Sequence, residues 1–499
     1  MTARCGAAQA AGQRRLSWLA VLALLLGACS SPAAMPSAAS PARQVADVVS
    51  VHVSSSAGDR LSAMPDLHFG PHAGSTGGPA FTIDDSVRHQ TITGFGASFL
   101  EAGLVTLDTL PDTPQQDAVL RALFDKRAGA GFSAMKTVIG ATDFQSASPQ
   151  WFTYDDVPGD VSLSHFSIAR DLGPHGELTY IRRARQAGGQ FVLQAPMDYP
   201  PDWMLVDVNS NQDVRPAYYQ LLADYFVRYV REYEKHGVHV DYVSPFNEPG
   251  NYTKIPMSGI RDFIRDYLGP TFARERLTTR IQLSEEGGRT DAAHDYPIAL
   301  DDAAARRYVA VLPYHGYDWG GYDELAALHA RYPSIPIWMT ELCCLYSQDK
   351  GLSFESGDGW ANIIISDLEA GASAWIHWNA ILDETGGPWL VSEIHADARS
   401  NAQESMVVID KTRHTVTYTG LYWYLAHFSK FVRPGATRID TRSSAPQGLR
   451  AISFQNSDGR LVAELVNSGE QPANVQVDWR GRSLPVTLPP VSITTLAWG

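Results

Sequence analysis

Between residues 91 and 379 the chain carries eight short apolar, β-prone runs, most of them separated by stretches of helical period. The runs are Thr91–Gly96, Ala134–Gly140, Gln190–Ala195, Val240–Asn247, Arg280–Ser284, Val309–His315, Ile335–Glu341 and Ala372–Asn379. Among the amphipathic stretches, Tyr218–Lys235 sets Leu221, Leu222, Tyr225, Val227, Tyr229 and Val230 among charges. Gln115–Asp125, Leu178–Gln186, Ile260–Tyr267 and Trp360–Leu368 follow the same pattern. Strands that alternate with helices pair in parallel, because the crossover has to return the chain to the same end of the sheet. Eight such units predict a closed (β/α)8 barrel, with its working face at the C-terminal ends of the strands.

The flanks are different in kind. Asp47–Val53, Ala80–Asp84 and Arg438–Trp498 alternate in strand fashion, with turn signals such as Asn456-Ser457-Asp458-Gly459. They predict one β-sandwich assembled from both ends of the chain. The expected plan is N-terminal sandwich strands over 47–90, the barrel over 91–432 and the C-terminal sandwich over 433–499.

Residues 1–29 place Arg14 and Arg15 before an apolar core, Leu16 to Leu26, and end in Leu26-Gly27-Ala28-Cys29. That order is an export signal, too short to read as a spanning helix. The Cys after Leu-Gly-Ala resembles a bacterial lipobox. Cys29 is then the lipidated N-terminus, Ser30 to Ala46 a flexible tether, and the destination the outer membrane, facing the periplasm or the cell surface. The alternative is an ordinary signal peptide cut nearby. A formal charge of -14 argues against nucleic acid as a partner, since phosphate binding rests on clustered Lys and Arg. Membrane contact is expected only through the Cys29 anchor.

Glu248 closes the run Val-Ser-Pro-Phe-Asn247, and Glu341 closes Ile-Pro-Ile-Trp-Met-Thr340. A carboxylate ending a buried strand faces solvent or a pocket, and on barrel strands both glutamates converge on the same mouth. Two carboxylates facing one cleft suit glycoside hydrolysis, one as acid and base and the other as nucleophile or activator of water. Pro249 stiffens the turn after Glu248, and Asn247 can donate to a sugar hydroxyl. Glu285 and Glu286 are the rival carboxylates, expected to line the cleft or sit in salt bridges. Nothing in the chain calls for a metal or an organic cofactor. The adjacent pair Cys343-Cys344 lacks metal-ligand spacing. It leaves two readings open: a disulfide between neighbours that stiffens the loop beside Glu341, or two buried free thiols.

An ordered series of motifs extends from Gly94-Phe95-Gly96-Ala97-Ser98 through Ile139-Gly140-Ala141-Thr142-Asp143-Phe144, Pro200-Pro201-Asp202-Trp203-Met204 and Asn247-Glu248-Pro249. It continues with His315-Gly316-Tyr317, Thr340-Glu341, His377-Trp378-Asn379 and Gly386-Gly387-Pro388, and closes on His427-Phe428-Ser429-Lys430-Phe431. From about residue 47 to the C-terminus the chain resembles glycoside hydrolase family 30, the retaining barrel enzymes that include glucosylceramidases and β-1,6-glucanases. The resemblance implies Glu248 as general acid/base and Glu341 as nucleophile. It also implies Asp143, Asn247, His315, Tyr317 and Trp378 as sugar-binding residues, with Trp203 a further candidate.

Two departures bear on the first sugar subsite. Lys136 stands where many relatives carry Arg, and Met197-Asp198-Tyr199 replaces a Trp found in glucosylceramidases, leaving Asp198 or Tyr199 to supply the lost contact. The expected activity is hydrolysis of β-linked glucosides, oligosaccharides or polysaccharides. The alternatives are a β-xylosidase, β-galactanase or β-fucosidase of the same family, or a glycan-binding surface lipoprotein without catalysis.

Overall fold

The computed structural model describes residues 48–72, 74, 78–146, 151–206, 213–251, 253–389 and 402–499. The export segment, the tether and Cys29 lie outside them. Eight parallel strands close a barrel: Gly94–Ser98, Ala134–Lys136, Val192–Pro196, Tyr242–Ser244, Arg280–Gln282, Val309–His315, Ile337–Glu341 and Ala372–Asn379. Helices such as Thr113–Phe124, Glu177–Gln186, Tyr219–Lys235 and Ser356–Glu369 pack outside it through their apolar faces. Among the described residues, no helix is long and apolar enough to cross a membrane.

Several strands are shorter than their apolar runs. The fourth stops at Ser244 because Pro245 has no N–H to give the ladder, and the seventh starts after Pro336 for the same reason. The first begins at Gly94 because Ala80–Thr91 is drawn into the sandwich, where Thr91 pairs with Thr437. Only glycine fits at position 96, where a Cβ would run into the Ala134 carbonyl of the next strand.

A second sheet has ten strands drawn from both ends of the chain. Val48–Ser55 lies antiparallel to Ser492–Trp498, pairing Val51 with Leu496, and Ala80–Thr91 lies against Thr437–Ser443. Alternate residues meet in a core that includes Val49, Val51, Phe81, Trp479 and Trp498. The helix Gly420–Phe431 joins this sheet to the barrel: buried His427 bonds Ser54 at 2.9 Å and Thr495 at 2.6 Å.

The inside of the barrel changes character along its axis. One layer is apolar, with Ala134, Val311, Trp338, Ala374 and Ile376 in contact. Nearer the C-terminal mouth come Lys136, Glu285, His315, Thr340 and Glu341, all buried. Charges at that depth persist only if they pair.

Candidate active site

Two local backbone features aim the glutamates. Across strands six and seven the register slips, so that His315 sits beside Glu341 while Tyr314 sits beside Met339. Thr340 is the extra residue, and such a bulge turns a side chain that would otherwise face away. Thr340 and Glu341 therefore both reach the interior site. Glu248 lies in the left-handed region at φ 41°, a costly conformation for a residue with a Cβ. The backbone N–H of Glu248 donates to the Glu285 carbonyl at 2.8 Å, which pins this turn to the fifth strand end.

The two carboxylates come together. Single oxygens of Glu248 and Glu341, with a ring nitrogen of His315, lie within 4.8 Å of one another. Glu341 accepts from Lys136 Nζ at 2.6 Å and from the Tyr317 hydroxyl at 2.8 Å. Glu248 is bonded to His315 Nδ1 at 2.8 Å and accepts from Asn251 Nδ2 at 2.9 Å. Beneath both, Glu285 Oε2 meets Lys136 at 3.1 Å, His315 Nε2 at 3.1 Å and Thr340 Oγ1 at 2.9 Å.

These contacts set the protonation states. Burial alone would neutralise His315, but Glu341, Glu248 and Glu285 push its pKa up to about 10, so the ring is an imidazolium at neutral pH. Burial likewise opposes the charge on Lys136, yet Glu285, Glu341 and Asp198 hold its pKa above the ordinary lysine value. Burial raises the Glu248 carboxyl, and the hydrogen bond and charge of His315 more than reverse that, leaving it below its ordinary value. Glu285 is lowered too, as Lys136 and His315 outweigh its burial. Both His315 ring nitrogens are bonded to carboxylates, Nδ1 to Glu248 and Nε2 to Glu285, which fixes the ring between the two.

The site opens into a cavity of about 460 Å³ lined by Asp143, Glu248, Asn251, Tyr317, Glu341, Cys343, Trp378 and Gln403, with Gly287, Asp291 and Asp318 also on its wall. That volume suits a small ligand. Lys136 Nζ lies 4.9 Å from the centre of the Trp378 ring, so the indole covers the buried cation and also lines the cavity. Asn247 is 3% exposed and its Oδ1 has no partner. Asp198 is buried next to the same charges, and burial raises its pKa well above the ordinary value. Lys136, Asp198, Asn247 and His315 thus stand behind the residues that line the cavity.

Trp203 does not join this group. Its indole N–H donates to the Asp155 carbonyl at 2.9 Å and its ring packs edge-on against Tyr218, so it packs the short turn Asp202–Met204 after the third strand. Glu286 also turns away, bonding Ser284 at 3.3 Å, and burial with nearby Asp295 and Asp291 pushes its pKa up to about 8. Asn251, Asp291, Asp318 and Gln403 were not singled out from the sequence. Asn251 lies three residues beyond Glu248, a spacing at which a turn brings it back. Asp291 lies in the first turn of the helix Arg289–Leu300, Asp318 and Gln403 lie in loops, and none of the three leaves a local signal.

Cys343 and Cys344 are joined in a disulfide. Cys343 is buried on the cavity wall among Trp378, Phe144 and Leu382, and Cys344 is exposed. Of the two readings the sequence left open, the structure contains the disulfide and not two buried free thiols.

The sequence pattern of the glycosyl hydrolase family 30 TIM-barrel domain matches residues 92–432, and that of the family's β-sandwich domain matches 435–496. An endo-1,6-β-D-glucanase of Neurospora crassa is 30% identical over 413 residues, covering 77% of this chain and 81% of its own. The lysosomal acid glucosylceramidase of Mus musculus is 25% identical, covering 84% of each chain. Among solved structures, an endo-β-1,6-glucanase superposes with a TM-score of 0.79 at 24% identity, over 91% of this chain and 99% of its own. SrfJ from Salmonella typhimurium superposes with a TM-score of 0.82 at 22% identity, over 90% and 99%. The chain is a glycoside hydrolase and belongs to glycosyl hydrolase family 30.

Proposed function

We propose that this enzyme is a retaining β-glycosidase that hydrolyses β-linked glucosides by double displacement, with Glu341 as nucleophile and Glu248 as general acid and base. The observation that carries this is the closeness of the two carboxylates, within 4.8 Å through single oxygens, at one barrel mouth. Retention needs a separation of about 5–5.5 Å, whereas inversion leaves room for a water at roughly 6.5–9.5 Å.

In the first step a Glu341 oxygen attacks the anomeric carbon while Glu248 gives its proton to the departing oxygen. In the second, Glu248 takes a proton from water, and the water oxygen displaces Glu341 from the sugar. Lys136 and Tyr317 fix the nucleophile as an oriented anion, and His315 and Asn251 orient the acid. Trp378 offers an apolar face to the sugar, and Asp143 accepts from its hydroxyls. The glucosyl preference is supported by relatives named as glucosylceramidases and endo-1,6-β-glucanases.

The reading is tested by following product configuration and by trapping the glycosyl-enzyme with a fluorinated glucoside. Label on Glu341 and initial release of the β-anomer are expected. Glu341→Gln should abolish trapping, and Glu248→Ala should slow poor leaving groups far more than activated aryl glucosides. Initial release of the α-anomer, or label on another residue, sinks the assignment.

We also infer that the enzyme is exported and anchored to the outer membrane through lipid on Cys29, from the basic, apolar and Leu-Gly-Ala-Cys order of residues 14–29. Ser30 and Ser31 follow, with no Asp of the kind associated with inner-membrane retention in some bacteria.

A further inference from the structure

Tyr317 stands between two partners. Its hydroxyl lies 2.8 Å from Glu341 Oε1 and 3.8 Å from Cys343 Sγ. A hydroxyl has one proton to give, and a thiol sulfur can compete with it as donor or acceptor. A disulfide sulfur has no proton and accepts only weakly, so the Tyr317 proton goes to the carboxylate.

The backbone leading to the disulfide is fixed by both neighbouring strands. The Glu341 carbonyl accepts from Gly316 at 3.2 Å, and the Leu342 carbonyl accepts from Trp378 at 3.1 Å. The next two residues close on each other, with Cys344 in the left-handed region at φ 66°. Cys343 is 4% exposed and shares the cavity wall with Trp378. Cys344 is exposed, which gives a reductant access to the bond.

We propose that the Cys343–Cys344 disulfide is a positioning element of the sugar site, committing Tyr317 to Glu341 and completing the apolar wall beside Trp378, so that reducing it lowers the hydrolytic rate. This rests on Glu341 being the nucleophile. A soluble phosphine performs the reduction with water: the S–S bond breaks, each sulfur gains a hydrogen, and the phosphine leaves as its oxide.

The test uses the full purified chain and an aryl β-glucoside. Alkylation after denaturation without reductant, read by peptide mass, should find Cys343 and Cys344 blocked, and alkylation of both overturns the proposal. Complete reduction should lower kcat about ten-fold, the worth of one hydrogen bond to a charged group. KM and the melting temperature should change little, and reoxidation should restore the rate. Cys344→Ser should match the reduced enzyme and ignore the phosphine. An active chain that keeps its rate after full reduction overturns this inference alone. A chain inert toward every β-glycoside overturns the glycosidase reading and this inference with it.

Discussion

Replacing Lys136 by Met should invert the way stability depends on pH. Lys136 is fully buried, 2.6 Å from Glu341 and 3.1 Å from Glu285. At an effective dielectric of 20, each contact of this kind is worth roughly 4 kcal/mol before desolvation, and breaking one buried pair costs about 3–5 kcal/mol. In the wild type, burial raises the Glu285 carboxyl but Lys136 and His315 hold it below its ordinary 4.5. A lowered carboxyl contributes stability that is present above 4.5 and lost as pH falls through the folded value. The native enzyme should therefore show no loss from this group between about pH 5 and 8.

In the Met variant three carboxylates share one cation, His315, and burial then favours taking up a proton. The carboxyl is now raised. Its stability is complete below the unfolded value and drains away as pH rises through the folded one. The deficit should be small near pH 5 and approach about 3–5 kcal/mol near pH 8. Urea unfolding at three pH values measures it, and Lys136→Arg, which keeps the cation, should retain the native slope. A deficit that is constant with pH, or larger in acid, refutes the reasoning.

Three further outcomes are expected. Asp143→Ala should remove most of the preference for β-glucoside over β-xyloside, roughly one to two decades in kcat/KM, and a wild type that already prefers the xyloside would defeat the glucoside assignment. His315→Asn takes away the charged donor that holds Glu248 down, so the alkaline limb of kcat/KM should move up, and a limb that stays or moves down counts against Glu248 as the acid. Cys29→Ser should release the protein from the membrane fraction, and unchanged sedimentation with membranes would rule out the lipid anchor.

The barrel is legible because its signal is local and repeated: most of the apolar runs are followed by a stretch of helical period. The strand ends are less so. Pro245 and Pro336 mark two of them directly, but the bulge at Thr340 is a relation between two strands and leaves no mark on either. The same limit separates Glu285 from Glu286. They are adjacent and chemically identical, and only the pairing of their backbones with Phe246 and Tyr314 decides which points inward. Trp203 shows the opposite failure, since a motif position carries no information about whether the indole N–H is already spent on Asp155. Lys136 could be read from the sequence as a departure from Arg. Its two carboxylate partners lie 149 and 205 residues away, so the sequence offered no view of them.

The arrangement of charge accounts for why an acid with a depressed pKa still suits its task. Lys136 and His315 supply two positive charges, and Glu285 permanently balances one of them. One balancing negative charge remains to be placed. Before the first step, on the proposed roles, it resides on Glu341, with the proton on Glu248. When the glycosyl-enzyme forms, Glu341 becomes a neutral ester and Glu248, having given its proton away, becomes the anion. The cluster is electroneutral on both sides of the step, so the low-dielectric site holds no unbalanced charge as the glycosyl-enzyme forms. His315 lies 2.8 Å from Glu248 and 3.7 Å from Glu341, close enough to stabilise the charge in either place. The force that lowers the Glu248 pKa in the resting enzyme is therefore the one that draws its proton onto the leaving oxygen as the charge crosses over.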